Sequence, residues 1–124
     1  MTIEEEISRL GELEHVGMAL VQFSHSLSHG AFKKESAAWI YSPNYVGFEV
    51  RFVRVKKLNL LIRWLSMPPE VQKLLPLYVG PLTYGRAEIV SPRQLSAACA
   101  YIEASWRDWY RHIFRKDPEL TVTK

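Results

Sequence analysis

The stretch that decides the fold is Phe48-Glu49-Val50-Arg51-Phe52-Val53-Arg54-Val55-Lys56-Lys57-Leu58-Asn59-Leu60-Leu61-Ile62-Arg63-Trp64. Phe48, Val50 and Phe52 alternate with Glu49, Arg51 and Val53, the two-residue repeat of a strand with one buried face. Leu58, Leu60, Ile62 and Trp64 repeat the pattern against Asn59, Leu61 and Arg63. Lys56-Lys57 interrupts the two runs. The segment therefore reads as two adjacent antiparallel strands joined by a tight basic turn, a hairpin over about 46–65.

Upstream of the hairpin, Trp39-Ile40-Tyr41 is a short β-type run closed by the turn signature Ser42-Pro43-Asn44. Downstream, Ser66 to Pro76 allows a short helix at most, because Pro76 prevents its continuation. Tyr84 to Val90 supplies another strand, after Gly80-Pro-Leu-Thr-Tyr-Gly85 has turned the chain. The sheet thus occupies 37–90 and holds three to four strands.

Helices flank it. Thr2-Ile3-Glu4-Glu5 is a capping box, and Ile3, Ile7, Leu10, Leu13, Leu20 and Leu27 recur at helical steps, so 2–30 is a helical region. Gly11 and Gly17 each cost about 1 kcal/mol in a helix, and a break is expected near Gly17. Gly30 suits a left-handed C-terminal cap. The second helix is marked by Ser91-Pro92-Arg93-Gln94, with a capping serine, a first-turn proline and a Gln that completes the box. It runs over 92–115 with Leu95, Ala98, Cys99, Ile102, Trp106, Trp109 and Ile113 on one stripe, until Asp117-Pro118 stops it; 119–124 is a frayed tail. The order of elements predicts an α+β fold, an antiparallel sheet with helices on one face.

At 124 residues the chain is expected to form one domain. Four Trp, six Tyr and five Phe supply much of a core. Cys99 is the only cysteine, so neither an internal disulfide nor a thiolate metal site is available. The acidic start Met1-Thr-Ile-Glu-Glu-Glu-Ile does not have the basic-then-apolar make-up of a secretory signal, and no apolar run reaches a membrane span. A cytoplasmic location is the expectation. The net charge of +3 is unevenly spread, with Glu4, Glu5, Glu6, Glu12 and Glu14 at the front and Arg51, Arg54, Lys56, Lys57, Arg63, Arg107, Arg111, Arg115 and Lys116 behind.

The motifs with chemical content are few. His25 and His29 are four apart, a metal-pair spacing, yet the intervening Ser-Leu-Ser lacks the Glu of the HExxH motif. Ser24, Ser26 and Ser28 beside them form no nucleophile elbow and have no orienting carboxylate. Cys99 sits on the apolar stripe, where a thiol is a small hydrophobe. Glu49 and Glu88 stand alone in their strands. Neither Walker A nor GxGxxG spacing occurs, so no cofactor is implied.

The cluster that carries most is Arg107, Arg111 and Arg115, spaced by four along the final helix beside Trp106, Trp109 and Tyr110, with Arg51 and Arg63 pointing away from the apolar side of their strands. Three readings follow, in order. The first is a non-enzymatic interaction module, self-associating or docking a protein through these arginines and aromatics. The second is a nucleic-acid-binding accessory protein using the same guanidinium groups and rings. The third is a metal-dependent enzyme using His25 and His29.

In layout, the strand Trp39-Ile-Tyr41, the run from Phe48 to Val55, the basic turn Lys56-Lys57 with Leu58-Asn-Leu-Leu-Ile62, and the closing strand that feeds Ser91 resemble a small domain of unknown function. That domain occurs alone or attached to restriction-endonuclease-like and predicted transport proteins. The likeness covers 39–110, with a Pro-rich stretch where a Gly- and Trp-containing loop is expected. It implies an α+β fold and an accessory or binding role, without catalytic residues.

Overall fold

The structure, a computed structural model, describes residues 2–35, 38–42, 46–51, 56–63, 78–79 and 84–118. The chain begins with α1 (Ile3–Ile7), opened by the capping box: the Glu5 amide donates to Thr2 Oγ1 at 3.1 Å and the Thr2 amide to Glu5 Oε1 at 3.0 Å. These hydrogen bonds, from the Thr2 backbone first and its side chain second, hold the Glu5 carboxyl below its ordinary 4.5.

The break in the N-terminal region falls at Gly11 and not at Gly17. Gly11 has φ +66°, a left-handed conformation that glycine adopts without steric cost, and a 3-10 turn (Gly11–Leu13) leads into α2 (Glu14–His25). Gly17 lies inside α2 for a different reason. A Cβ there would stand 2.7 Å from Ile7 Cγ2, so the missing side chain is what lets α1 lie against α2. After α2 it is His29 (φ 65°), one residue before the expected Gly30, that turns left-handed.

The strands are β1 (Ala31–Glu35), β2 (Ala38–Ser42), β3 (Val46–Arg51), β4 (Lys57–Arg63), β5 (Tyr78–Val79) and β6 (Tyr84–Ile89), in the order β1-β2-β3-β4-β6-β5 with every pair antiparallel. The described residues thus give five strands of five to seven residues and one of two, more than the three to four expected. The main addition, β1, is an edge strand. Lys33 and Glu35 lie on one face and Lys34 on the other, opposite Trp39 and bound to Glu6, so charge on both faces hides the alternation that marks a strand and suits an edge that should not pair further.

The central hairpin is antiparallel as expected, but its turn is not the tight Lys56-Lys57 one: Lys57 already belongs to β4, opposite Arg51, with Val50 opposite Leu58 and Phe48 opposite Leu60. Phe52 to Val55, Trp64, and the connector Ser66 to Pro76 lie outside the described residues. Trp39, Phe48, Leu60 and Ala87 make one transverse row, and Val50, Leu58 and Ile89 another; these rows face the helices. With Ile7, Leu20, Val21, Ala98, Ile102 and Trp106 they form the core. Glu6, 6% exposed, sits at the side of this core and accepts from Lys34 Nζ at 2.7 Å and from Trp39 Nε1, tying α1 to β1 and β2.

Candidate functional site

The final helix, α3 (Leu95–Phe114), is aimed by its N-terminal turn. Gln94 Oε1 accepts from the Ser91 amide at 3.1 Å, Ser91 Oγ accepts from the Arg93 amide at 3.2 Å, and Gln94 Nε2 donates to the Glu88 carbonyl at 3.1 Å. The last of these ties the start of the helix to β6. From there α3 packs on β3, β4 and α2, burying Ala98, Tyr101, Ile102, Ser105, Trp106, Asp108 and Tyr110. The buried face is turned slightly from the expected stripe: Leu95, Cys99 and Trp109 are half-buried, and Ile113 is 45% exposed. Burial and the nearby Glu103 push the Cys99 thiol above its ordinary 9.0, consistent with a packing role.

Two hydrogen bonds fix where the packing ends. Ser105 Oγ donates to the Arg63 carbonyl, and Trp109 Nε1 donates to the same oxygen at 3.3 Å. Arg63 is the last residue of β4. Ser105 and Trp109 therefore meet the last described residue of β4, and the turn that ends α3, Arg111 to Phe114, is exposed.

The predicted site residues divide along this boundary. Tyr110 belongs to the interior, 7% exposed, with its ring 5.5 Å from Trp106, 5.4 Å from His29 and 4.5 Å from Phe114. Trp109 is half-buried against β4, with His112 edge-on at 6.2 Å. Arg107 Nε is paired with Glu103 Oε2 at 3.1 Å. Arg51 and Arg63 are at opposite ends of the hairpin, Arg51 opposite Lys57 and Arg63 opposite Tyr84, so the two do not come together; Arg63 is the one whose backbone meets α3, through Ser105 and Trp109.

Arg111 and Arg115 do come together. Arg115 is the left-handed C-cap (φ 58°), its amide donating to the Arg111 carbonyl at 2.8 Å, and the turn brings Asp117 Oδ1 to 2.5 Å from Arg111 Nε. Arg111, His112, Arg115, Lys116 and Asp117 line a shallow depression. Beside it stand Ile113 and Phe114, 45% and 41% exposed, two of the exposed large hydrophobic residues of the described chain. Phe114 and Asp117 carry no sequence motif; their place follows from the exposed last turn and from the left-handed cap.

The remaining candidates separate. His25 packs edge-on to Phe32 at 5.7 Å, whereas His29 packs on Tyr110 and Phe114, so the pair has different neighbours. Among the described residues no group of three or more His, Cys, Asp or Glu is placed to hold a metal ion. The Ser24 and Ser26 hydroxyls donate to carbonyls of their own helix. Glu49 and Glu88 are joined by the sheet after all, both opposite Asn59 on the face away from the helices. There Arg86 Nη2 meets Glu49 Oε2 at 3.2 Å and Lys57 Nζ meets Glu88 Oε1 at 3.5 Å, a charge-balanced arrangement. No helix among the described residues is long and apolar enough to cross a membrane.

No family model, curated protein or solved structure matches the chain.

Proposed function

We propose that this chain is a protein-binding module and that its contact surface is the C-terminal end of α3. The observation that carries the reading is the exposure of Ile113 and Phe114 in the last turn of that helix, with Arg111, Arg115 and Lys116 around them. Large apolar side chains ringed by arginines are the composition that concentrates binding energy in protein interfaces. The surface is also held rigidly, because Trp106 and Tyr110 anchor the preceding turns in the core. Arg107 and Trp109 lie on the approach to it. A binding or accessory role is also what the layout resemblance of 39–110 implies.

A photo-crosslinking residue placed at position 113, compared with one at Glu12 in the exposed turn before α2, tests this reading. Discrete adducts from position 113 that disappear in a Phe114→Ser background are expected. The same adducts from both positions, or none from position 113, would reject it.

A nucleic-acid reading draws on the basic residues clustered around the same depression. Its test is a salt titration against single- and double-stranded oligonucleotides, in which affinity must fall steeply as salt rises.

A further inference from the structure

The depression at the end of α3 already holds a carboxylate, that of Asp117, and we infer that Asp117 is an internal stand-in for the acidic side chains of a partner protein. This inference rests on the protein-binding reading above and adds the chemistry of the partner. Among the described residues three cationic side chains, Arg111, Arg115 and Lys116, line the depression with one carboxylate, so that lining keeps an excess of positive charge when Asp117 is in place. Both members of the Arg111–Asp117 pair are open to water, with side chains 54% and 75% exposed. An ion pair so exposed contributes little and yields readily to a competitor.

The backbone carries the second argument. Arg115 occupies a left-handed cap at φ 58°, a position where glycine is the favoured residue and a side chain is disfavoured. An arginine there places a guanidinium at the rim of the depression against that preference.

The occupant is a protein carboxylate rather than a nucleic acid for two reasons. The group now bound is a carboxylate, side-on to Arg111 Nε. Of the exposed rings here, His112 lines the depression and meets Trp109 edge-on at 6.2 Å, and Phe114 beside it is engaged by Tyr110 at 4.5 Å and His29 at 4.8 Å, so both rings are already in contact with others, while the edge of Phe114 and Ile113 offer apolar contact. A segment alternating acidic and apolar residues matches both halves of the surface.

The experiment is fluorescence anisotropy of the full chain with a labelled twelve-residue peptide of alternating Glu and Leu, with a twelve-nucleotide single strand as the comparison probe. The peptide is expected to bind, Arg111→Ala to weaken it about tenfold or more, and Asp117→Asn to tighten it about two- to fivefold, the range an exposed ion pair supports. Circular dichroism melts that match the parent chain show that the variants remain folded. Unchanged or weaker peptide binding by Asp117→Asn, with the Arg111 dependence intact, overturns the stand-in role alone and leaves the binding surface in place. Absence of peptide binding by every form overturns the acidic partner, while crosslinking from position 113 still judges the surface independently. Tighter binding of the oligonucleotide with the same variant pattern overturns it in favour of nucleic acid.

Discussion

Ile102 and Ile113 lie about three turns apart on α3 and so point the same way from its axis. Ile102 is fully buried; Ile113 is 45% exposed. The helix is the same, the residue is the same, and the local pattern is the same. What differs is the place along the helix: Ile102 lies within the part of α3 that packs on the sheet, and Ile113 comes after Trp109, which meets the last described residue of β4 through the Arg63 carbonyl. Periodicity determines the direction of a side chain, and what packs against it determines whether that direction is filled. The two halves of α3 therefore serve different ends, the first as part of the core and the last turn as a rigid projection.

The comparison breaks most visibly at Trp106. Its ring is 3% exposed, and Nε1 donates to the Ser28 carbonyl at 2.8 Å, joining α3 to the segment after α2. Trp106→Ala is expected to lower unfolding stability by about 3–5 kcal/mol, and Ile102→Ala by about 2–5 kcal/mol, in urea melts. A cost near zero at either would mean that the first half of α3 does not pack as described.

The next effect, at Gly17, distinguishes a helix break from a helix contact. Were Gly17 merely a weak point in α2, alanine would stabilise the protein by about 1 kcal/mol through helix propensity. Because a Cβ would meet Ile7 Cγ2 at 2.7 Å, Gly17→Ala is instead expected to destabilise by about 1–3 kcal/mol, and to cost less than that when it is made in an Ile7→Ala background, where the clash is gone. Paired urea melts of the single and double variants decide the sign.

Ser91 follows. Its hydroxyl caps the turn that aims α3, and Ser91→Ala is expected to cost about 1 kcal/mol. Thr2→Ala, at the matching box of the short α1, should cost less, because the five residues it caps contribute less than the twenty of α3. Equal losses in thermal melts would contradict that ranking.

These cases show where the sequence is readable. Both capping boxes are local and appear in the residues themselves, as does the presence of the central antiparallel hairpin; its register is not readable, because the basic pair looks like the turn while Lys57 is already paired with Arg51 in the ladder. The break at Gly11 is not readable in the same way: Gly11 and Gly17 look alike until Ile7 is brought against one of them. The strand β1 is hidden because an edge strand with Lys33, Lys34 and Glu35 has no apolar alternation to display. In α3, the inward turns of Tyr101, Ser105 and Asp108 are hidden because a hydrophobic stripe does not register polar residues. The arginine spacing at the candidate surface is legible. The exposure of the last turn of α3 is not, because it depends on what packs against that turn in three dimensions.

Ile113 offers the smallest expected effect and the most discriminating one. If the last turn of α3 projects from the packed part of the helix, Ile113→Ala removes a side chain that is already close to half in water, and unfolding stability should change by less than about 0.5 kcal/mol. The same substitution three turns earlier, at the fully buried Ile102, has a cost several times larger. Urea melts of the two alanine variants, measured side by side, therefore report the length of the packed helix directly. A loss at Ile113 approaching that at Ile102 would place the last turn in the core, and would remove the apolar half of the proposed surface. A small loss there combined with unchanged binding of the alternating Glu and Leu peptide by Ile113→Ala would keep the projection but take Ile113 out of the contact, leaving Phe114 and the arginines to carry it.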